Sequence, residues 1–388
     1  MTRAVPRTGR LVYSQISPLI AVCVIAALCT ATSVAARESA QLQLTLPPEI
    51  YAVVGVETNI YFDNVVLTET PEAYQFQVKC DMGETEEKRW TLLPKTGDVG
   101  EHPLTVIVRD PSGKELNQAA TKLRIIPADA GAQESIRLLI VGDSLTHGTI
   151  YANEIARLLS LPGNPEWKML GTHKPARATE GVAHEGYGGW TWHRFASHYE
   201  PNPDGTYRKR SSPFVYPGED GKPVLDVKRY FDEECGGERP DFITVLLGIN
   251  DCFGANPDDL AKMDKSIDTM LSHADTLIAA SREAAPEAEL GICLTPPPNA
   301  REAGFEANYK GRYHRWGWKR IQHRLVQREM SHFADREGLF LVPTQLNLDP
   351  VDGYPTNNGV HPNAEGYKQI GASIYAWLKA RLKAQAEQ

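Results

Sequence analysis

Three shortages define this chain: few cysteines, no surplus of positive charge and no long hydrophobic run. The longest apolar run, Leu19 to Cys29, is shorter than the roughly 20 residues that a membrane-crossing helix needs. Forty-one Lys and Arg stand against 49 Asp and Glu, a formal net charge of −8, so nothing invites the phosphate backbone of nucleic acid. Six cysteines in 388 residues are too sparse for a disulfide scaffold, and a chain of this size builds a core without one. There is no Gly-rich phosphate loop and no dinucleotide fingerprint, and the Gly-x-Ser-x-Gly elbow is missing as well. His173, His184, His193 and His198 lack the spacing and the cysteine partners of a zinc site, so neither a metal nor a cofactor is expected.

What is present begins with a leader. Arg3, Arg7 and Arg10 precede the apolar run, and Val34-Ala35-Ala36 supplies small residues for cleavage, so residues 1–36 read as a secretory signal peptide and the protein as secreted or periplasmic. Without the leader, 38 basic and 49 acidic side chains remain, a net of −11. Cys80, Cys235, Cys252 and Cys293 remain too; a Cys252–Cys293 bridge is conceivable, with buried free thiols as the alternative.

Residues 40–130 read as an all-β module. Tyr74 to Cys80 alternate strictly and Leu104 to Arg109 nearly so, the mark of half-buried strands. Asp110-Pro111-Ser112-Gly113 is a turn, Thr121 to Pro127 a last strand, and Ala128 to Ala132 a linker. A small β-sandwich, immunoglobulin-like or jelly-roll, follows, acting as a spacer or packing module or as a glycan binder. From 134 to 388 strands near 137–142, 167–172, 241–248, 289–295 and 339–344 alternate with helical stretches at Asn153–Ser160, Pro257–Ala285, Tyr313–Glu337 and Ala364–Leu382. That rhythm implies a parallel sheet covered on both faces, with functional loops at the carboxyl ends of its strands.

Three such loops carry chemistry. The apolar run Arg137–Val141 ends at Gly142-Asp143-Ser144, a second ends at Gly248-Ile249-Asn250-Asp251, and Gly359-Val360-His361-Pro362-Asn363 places a histidine before a helical stretch. A serine hydroxyl, an imidazole base and an amide donor are the parts of an acyl-transfer site. With Gly186-Tyr187-Gly188-Gly189-Trp190-Thr191, these blocks resemble the SGNH (GDSL-type) hydrolase superfamily from about residue 134 to the C-terminus. The resemblance implies a three-layer, flavodoxin-like α/β fold with a five-stranded parallel sheet. It matches Ser144 to the nucleophile, His361 to the general base, and Gly189 and Asn250 to the oxyanion glycine and asparagine. It also implies an aspartate three residues before the histidine, where this chain has Asn358. His361 could then be oriented by the Asn358 side chain, by a backbone carbonyl, or by Asp349 or Asp352, both of which also read as turn residues.

Aromatic residues near these loops, Trp190 and Trp192 on one side and Tyr309, Tyr313, Trp316 and Trp318 in an insertion after Pro296-Pro297-Pro298, suit either sugar rings or packing. The expected activity is that of a serine esterase removing acetyl or other short acyl groups, with an acylated carbohydrate or another small ester as substrate. A lipase-like esterase, an acyltransferase on the same fold, and a catalytically weakened glycan-binding protein are the alternatives.

Overall fold

The structure, a computed structural model, describes residues 42–204, 206 and 211–387; the expected leader, residues 1–36, lies outside them. Seven strands come first: β1 (Glu49–Val53), β2 (Thr58–Tyr61), β3 (Gln75–Lys79), β4 (Glu84–Thr85), β5 (Arg89–Leu92), β6 (Gly100–Arg109) and β7 (Glu115–Ile126). They form two sheets, β1-β7-β6-β3 and β2-β5-β4. Alternate residues of β1, β2, β5, β6 and β7 turn inward, so Ile50, Ala52, Ile60, Trp90, Leu104, Val106, Leu123 and Ile125 make one core between the sheets. Pairing is antiparallel except that β1 runs parallel to β7; alternation fixes which face a residue takes but not which way a strand runs. The same core contains Leu346, more than 200 residues downstream.

The second sheet is built from β8 (Ser135–Gly142), β9 (Glu166–Leu170), β10 (Glu185–Gly186), β13 (Phe242–Leu246), β14 (Glu289–Cys293) and β15 (Leu339–Val342); β11 (Val215–Pro217) and β12 (Pro223–Leu225) form a separate hairpin. All its pairings are parallel. β9 pairs with Ser135–Leu139 of β8, and β10 pairs with Val141 and Gly142 on the same edge. Six strands therefore fill the five expected positions, because two short ones share an edge end to end. A strand of two residues leaves no periodicity to read.

Helices flank this sheet. On one side α2 (Ile150–Leu159) packs against α9 (Ala364–Ala386); on the other α6 (Leu260–Ala284) gathers α3 (Trp192–Ser197), α4 (Val227–Glu234) and α8 (Arg315–Phe333). The one-turn helices α1 (Ser144–His147) and α5 (Ile249–Cys252) follow β8 and β13, and α7 (Glu302–Tyr309) lies in the insertion. The expected helix from Pro257 starts instead at Leu260, because the Asp259 carboxylate caps it by accepting the Lys262 N–H at 3.1 Å. Asn363 caps α9 in the same way, accepting from the Glu365 and Gly366 N–H groups. The expected helix 313–337 is shorter, and the insertion before it contributes α7 as a separate element. Cys80, Cys235, Cys252 and Cys293 are unbridged.

Candidate active site

Ser144 stands where β8 gives way to α1. The Asp143 carboxylate accepts the Leu145 N–H at 2.9 Å and caps the helix, so the chain leaves the strand in one step. A side chain at position 142 would come within 1.9 Å of Thr146 Oγ1 and 2.8 Å of the Leu246 carbonyl, and only glycine fits. After α1, Thr149 is buried in the left-handed region at φ +65°. Its hydroxyl donates to the His147 carbonyl at 3.1 Å and lies 3.1 Å from His184 Nε2. His184 Nδ1 accepts the Gly186 N–H at 3.1 Å, which leaves the proton on Nε2 and makes that nitrogen the donor to Thr149.

His361 Nε2 is 2.9 Å from Ser144 Oγ, and His361 Nδ1 is 3.3 Å from Asn358 Oδ1. The Asn358 amide could point either way, but its outer oxygen also accepts the Val360 N–H at 3.0 Å and the His361 N–H at 2.9 Å. Two backbone donors demand an acceptor, so the oxygen faces the ring, Nδ1 carries the proton and Nε2 offers its lone pair to the serine hydroxyl. Of the other candidates, Asp349 Oδ1 accepts the Val351 and Asp352 N–H groups of its own turn, while Asp352 is exposed and pairs with Arg301 at 3.4 Å. Burial lowers the His361 pKa below the usual imidazole value, so the ring is neutral at pH 7. A hydroxyl within hydrogen-bond reach of a neutral, oriented imidazole is the arrangement that turns a serine into a nucleophile.

Gly189 occupies the third position of the turn Tyr187–Trp190, closed by the Trp190 N–H donating to the Tyr187 carbonyl at 3.2 Å. Its φ of +75° requires glycine, whereas a methyl there would meet nothing within 4 Å. Asn250, in α5, donates through its amide nitrogen to the Trp190 carbonyl at 3.0 Å and to Asp143 Oδ2 at 3.2 Å. It thereby ties the Gly189 turn to the Ser144 turn, and both hydrogens of the expected oxyanion donor are engaged with protein acceptors. Among the described residues, no protein acceptor takes the backbone N–H of Ser144 or of Gly189. Asp143 is fully buried, and that burial, helped by the charge of Asp251, pushes its pKa up to about 7. Burial likewise raises Asp251 to about 7.

The aromatic residues divide. Trp190, Trp192 and Trp318 are 8%, 2% and 3% exposed and belong to the core. Tyr309 and Tyr313 stay half-buried and meet Phe253, three residues after Asn250, at ring distances of 5.2 and 4.5 Å. Phe305, from the same helix as Tyr309, lies under the histidine loop, where a methyl on Gly359 would come within 2.7 Å of its ring.

Two supporting residues escaped the sequence reading. Glu185 is buried four residues before Gly189 and accepts from the Tyr187 hydroxyl at 2.5 Å, the Tyr230 hydroxyl at 2.7 Å, and the Thr172 N–H at 2.6 Å. Asn299 donates to the Asn358 and Pro355 carbonyls, each at 2.9 Å. A lone carboxylate or amide in a loop reads as surface; only its partners, distant in sequence, reveal it. Among the described residues no three His, Cys, Asp or Glu side chains converge as metal ligands.

A family model for the GDSL-like lipase/acylhydrolase family matches residues 140–369. No curated protein sequence matches the chain. Similar solved structures include a family 3 carbohydrate esterase of Clostridium thermocellum, at 18% identity over 65% of this chain and 100% of that one with a TM-score of 0.42. Another is a family 3 carbohydrate esterase from Talaromyces cellulolyticus, at 14% identity over 64% and 99% with a TM-score of 0.40. A family 2 carbohydrate esterase with a carbohydrate-binding domain, from Corynascus thermopiles, covers 85% of this chain and 91% of its own at 14% identity and a TM-score of 0.36. The family model runs from the strand before Ser144 through the His361 loop into α9, more than half of the 388 residues, and the chain belongs to the GDSL-like lipase/acylhydrolase family.

Proposed function

We propose that this protein is a secreted or periplasmic serine esterase that removes acetyl or other short acyl groups from carbohydrate through an acyl-serine intermediate. The observation that carries the reading is the 2.9 Å contact of Ser144 Oγ with His361 Nε2, whose ring is held in the required tautomer by Asn358. Ser144 Oγ attacks the ester carbonyl as His361 Nε2 takes its proton. Negative charge gathers on the carbonyl oxygen, and the backbone N–H groups of Ser144 and Gly189 are the donors assigned to it. Asn250 joins them by redirecting an amide hydrogen from Trp190 or Asp143. His361 then gives its proton to the departing sugar oxygen. Water attacks the acyl-serine, His361 accepts the proton, and collapse of the second tetrahedral intermediate frees the carboxylic acid and restores Ser144.

The carbohydrate assignment is supported by Tyr309, Tyr313 and Phe253, a half-buried aromatic group between the loops of Asn250 and His361, since ring faces beside polar groups suit the C–H faces of a sugar. The export assignment rests on residues 1–36. Purified protein is to be assayed on acetylated polysaccharides beside p-nitrophenyl acetate and its long-chain homologues. Acetate release from polysaccharide with poor cleavage of long chains is expected; preference for long-chain esters would overturn the substrate assignment.

A further inference from the structure

We infer that the β-sandwich is a working part of the catalytic site, because it grips the root of the loop that delivers His361, with Asn64 as a positioning residue. The inference rests on the Ser144–His361 reading above and goes beyond it to the module whose role the sequence leaves open between spacer, packing module and glycan binder.

Between the end of β15 at Val342 and the start of α9 at Ala364 the chain has 21 residues without helix or strand. Irregular segments of that length inside a compact fold are uncommon and need anchors. The sandwich supplies them. Leu346 is 1% exposed and sits in the sandwich core beside Ile60, Phe62 and Trp90. Its carbonyl accepts the Tyr61 N–H at 3.1 Å. The Asn64 side chain donates to the Leu348 carbonyl at 2.7 Å, and Asn347 Oδ1 accepts from the Asn59 N–H and side-chain amide at 2.9 and 3.1 Å. Asn59, Asn64 and Asn347 are all buried, so each of these bonds answers a group that water cannot reach.

The grip extends to the start of α9. Asn347 donates to the Gln369 carbonyl at 3.1 Å, the Gln369 side chain accepts the Asp349 N–H at 2.8 Å, and its amide reaches the Tyr61 hydroxyl at 3.4 Å. The loop is thus held at its root by the sandwich and at its far end by Asn299 and α7, and the imidazole hangs between the two anchors. A second joint reinforces the first: the buried Lys319 ammonium of α8 pairs with Asp63, next to Asn64, and Thr45 Oγ1 meets His323 Nε2 at 2.9 Å. A spacer would need none of this.

Displacement of a catalytic group by about 1 Å costs on the order of 10²-fold in rate, so loosening the root should lower turnover before it harms binding. The test compares full-length Asn64→Leu, which keeps the volume and removes the donor, with Val106→Ala, which loosens the same sandwich core without removing a hydrogen bond of the joint. Asn64→Leu is expected to lower kcat on p-nitrophenyl acetate about tenfold or more at unchanged KM, and to slow phosphonate labelling of Ser144 in parallel. Val106→Ala should leave both rates near the parent's at temperatures where it is folded. If Asn64→Leu is not recovered folded, Gln369→Leu reads the same joint from the other side. Parent rates in the joint variants, or an equal loss in Val106→Ala, would overturn the inference. Undiminished activity in Ser144→Ala would instead sink the reading of the site, and the two failures are told apart by that control.

Discussion

Ser144 and His361 meet at 2.9 Å, yet opposite means deliver them. The serine needs only a strand end, a glycine and a capping aspartate, all within three residues. The histidine rides a 21-residue segment whose shape depends on Asn64, Leu346 and Asn299, the first far upstream in another layer of the molecule. A side chain placed mainly by local geometry tolerates damage elsewhere in the fold better than one placed by tertiary contacts, which registers damage anywhere along its supports.

The sharpest break in this comparison is at the serine. Ser144→Ala should lower kcat by about 10⁴-fold or more without shifting the melting temperature, and should abolish phosphonate labelling; residual labelling elsewhere would identify a different nucleophile. Asn250→Ala comes next. Loss of one oxyanion donor costs on the order of 10²–10³ in kcat, and this substitution also strips a donor from Asp143 and Trp190. An effect confined to KM would make Asn250 a binding residue.

A chain beginning at Glu134 discriminates between the two means of delivery. Its serine turn is intact, but Leu346 and the root of the histidine loop are uncovered. We expect a lower melting temperature and a fall of about 10- to 100-fold in kcat on p-nitrophenyl acetate; a full rate would return the sandwich to the role of spacer.

The smallest expected effect is at Asn358. Burial alone sets the His361 pKa, and sets it low, so the acid limb of kcat/KM should lie below the usual imidazole range. Asn358→Asp places a negative charge beside Nδ1, favours the imidazolium, raises that pKa and moves the acid limb to higher pH, with kcat retained or increased. An unmoved limb would mean that position 358 does not sense the ring. Asn358→Ala, which removes the acceptor of Nδ1, should lower kcat on the plateau.

What the sequence discloses follows the same divide. Ser144, the five main strands of the second sheet and its four longest helices leave periodic or local marks, and each is found close to its expected place, whereas the shorter α3 and α4 leave none. The position of Asn358 was equally plain, but its orientation was not, because the two N–H groups that fix it belong to a turn with no periodic signature. β10 is too short to read, Glu185 looks like a surface acid until donors from Tyr187, Tyr230 and Thr172 surround it, and Leu346 looks like one more loop residue until Ile60 and Trp90 close over it. Trp190 and Trp192 turned out to pack inward, while Tyr309 and Tyr313 stayed half open; burial of an aromatic ring depends on what crosses above it, and composition is silent on that.

Thr149 gives the serine turn a history as well as a shape. A β-branched residue at φ +65° costs about 1–3 kcal/mol, and its hydroxyl is held there by His184, 35 residues further on. Until that segment docks, the turn after the serine helix has every reason to relax toward ordinary backbone. A chain in which His184 has not yet docked would carry Ser144 without the turn that follows it in the folded protein.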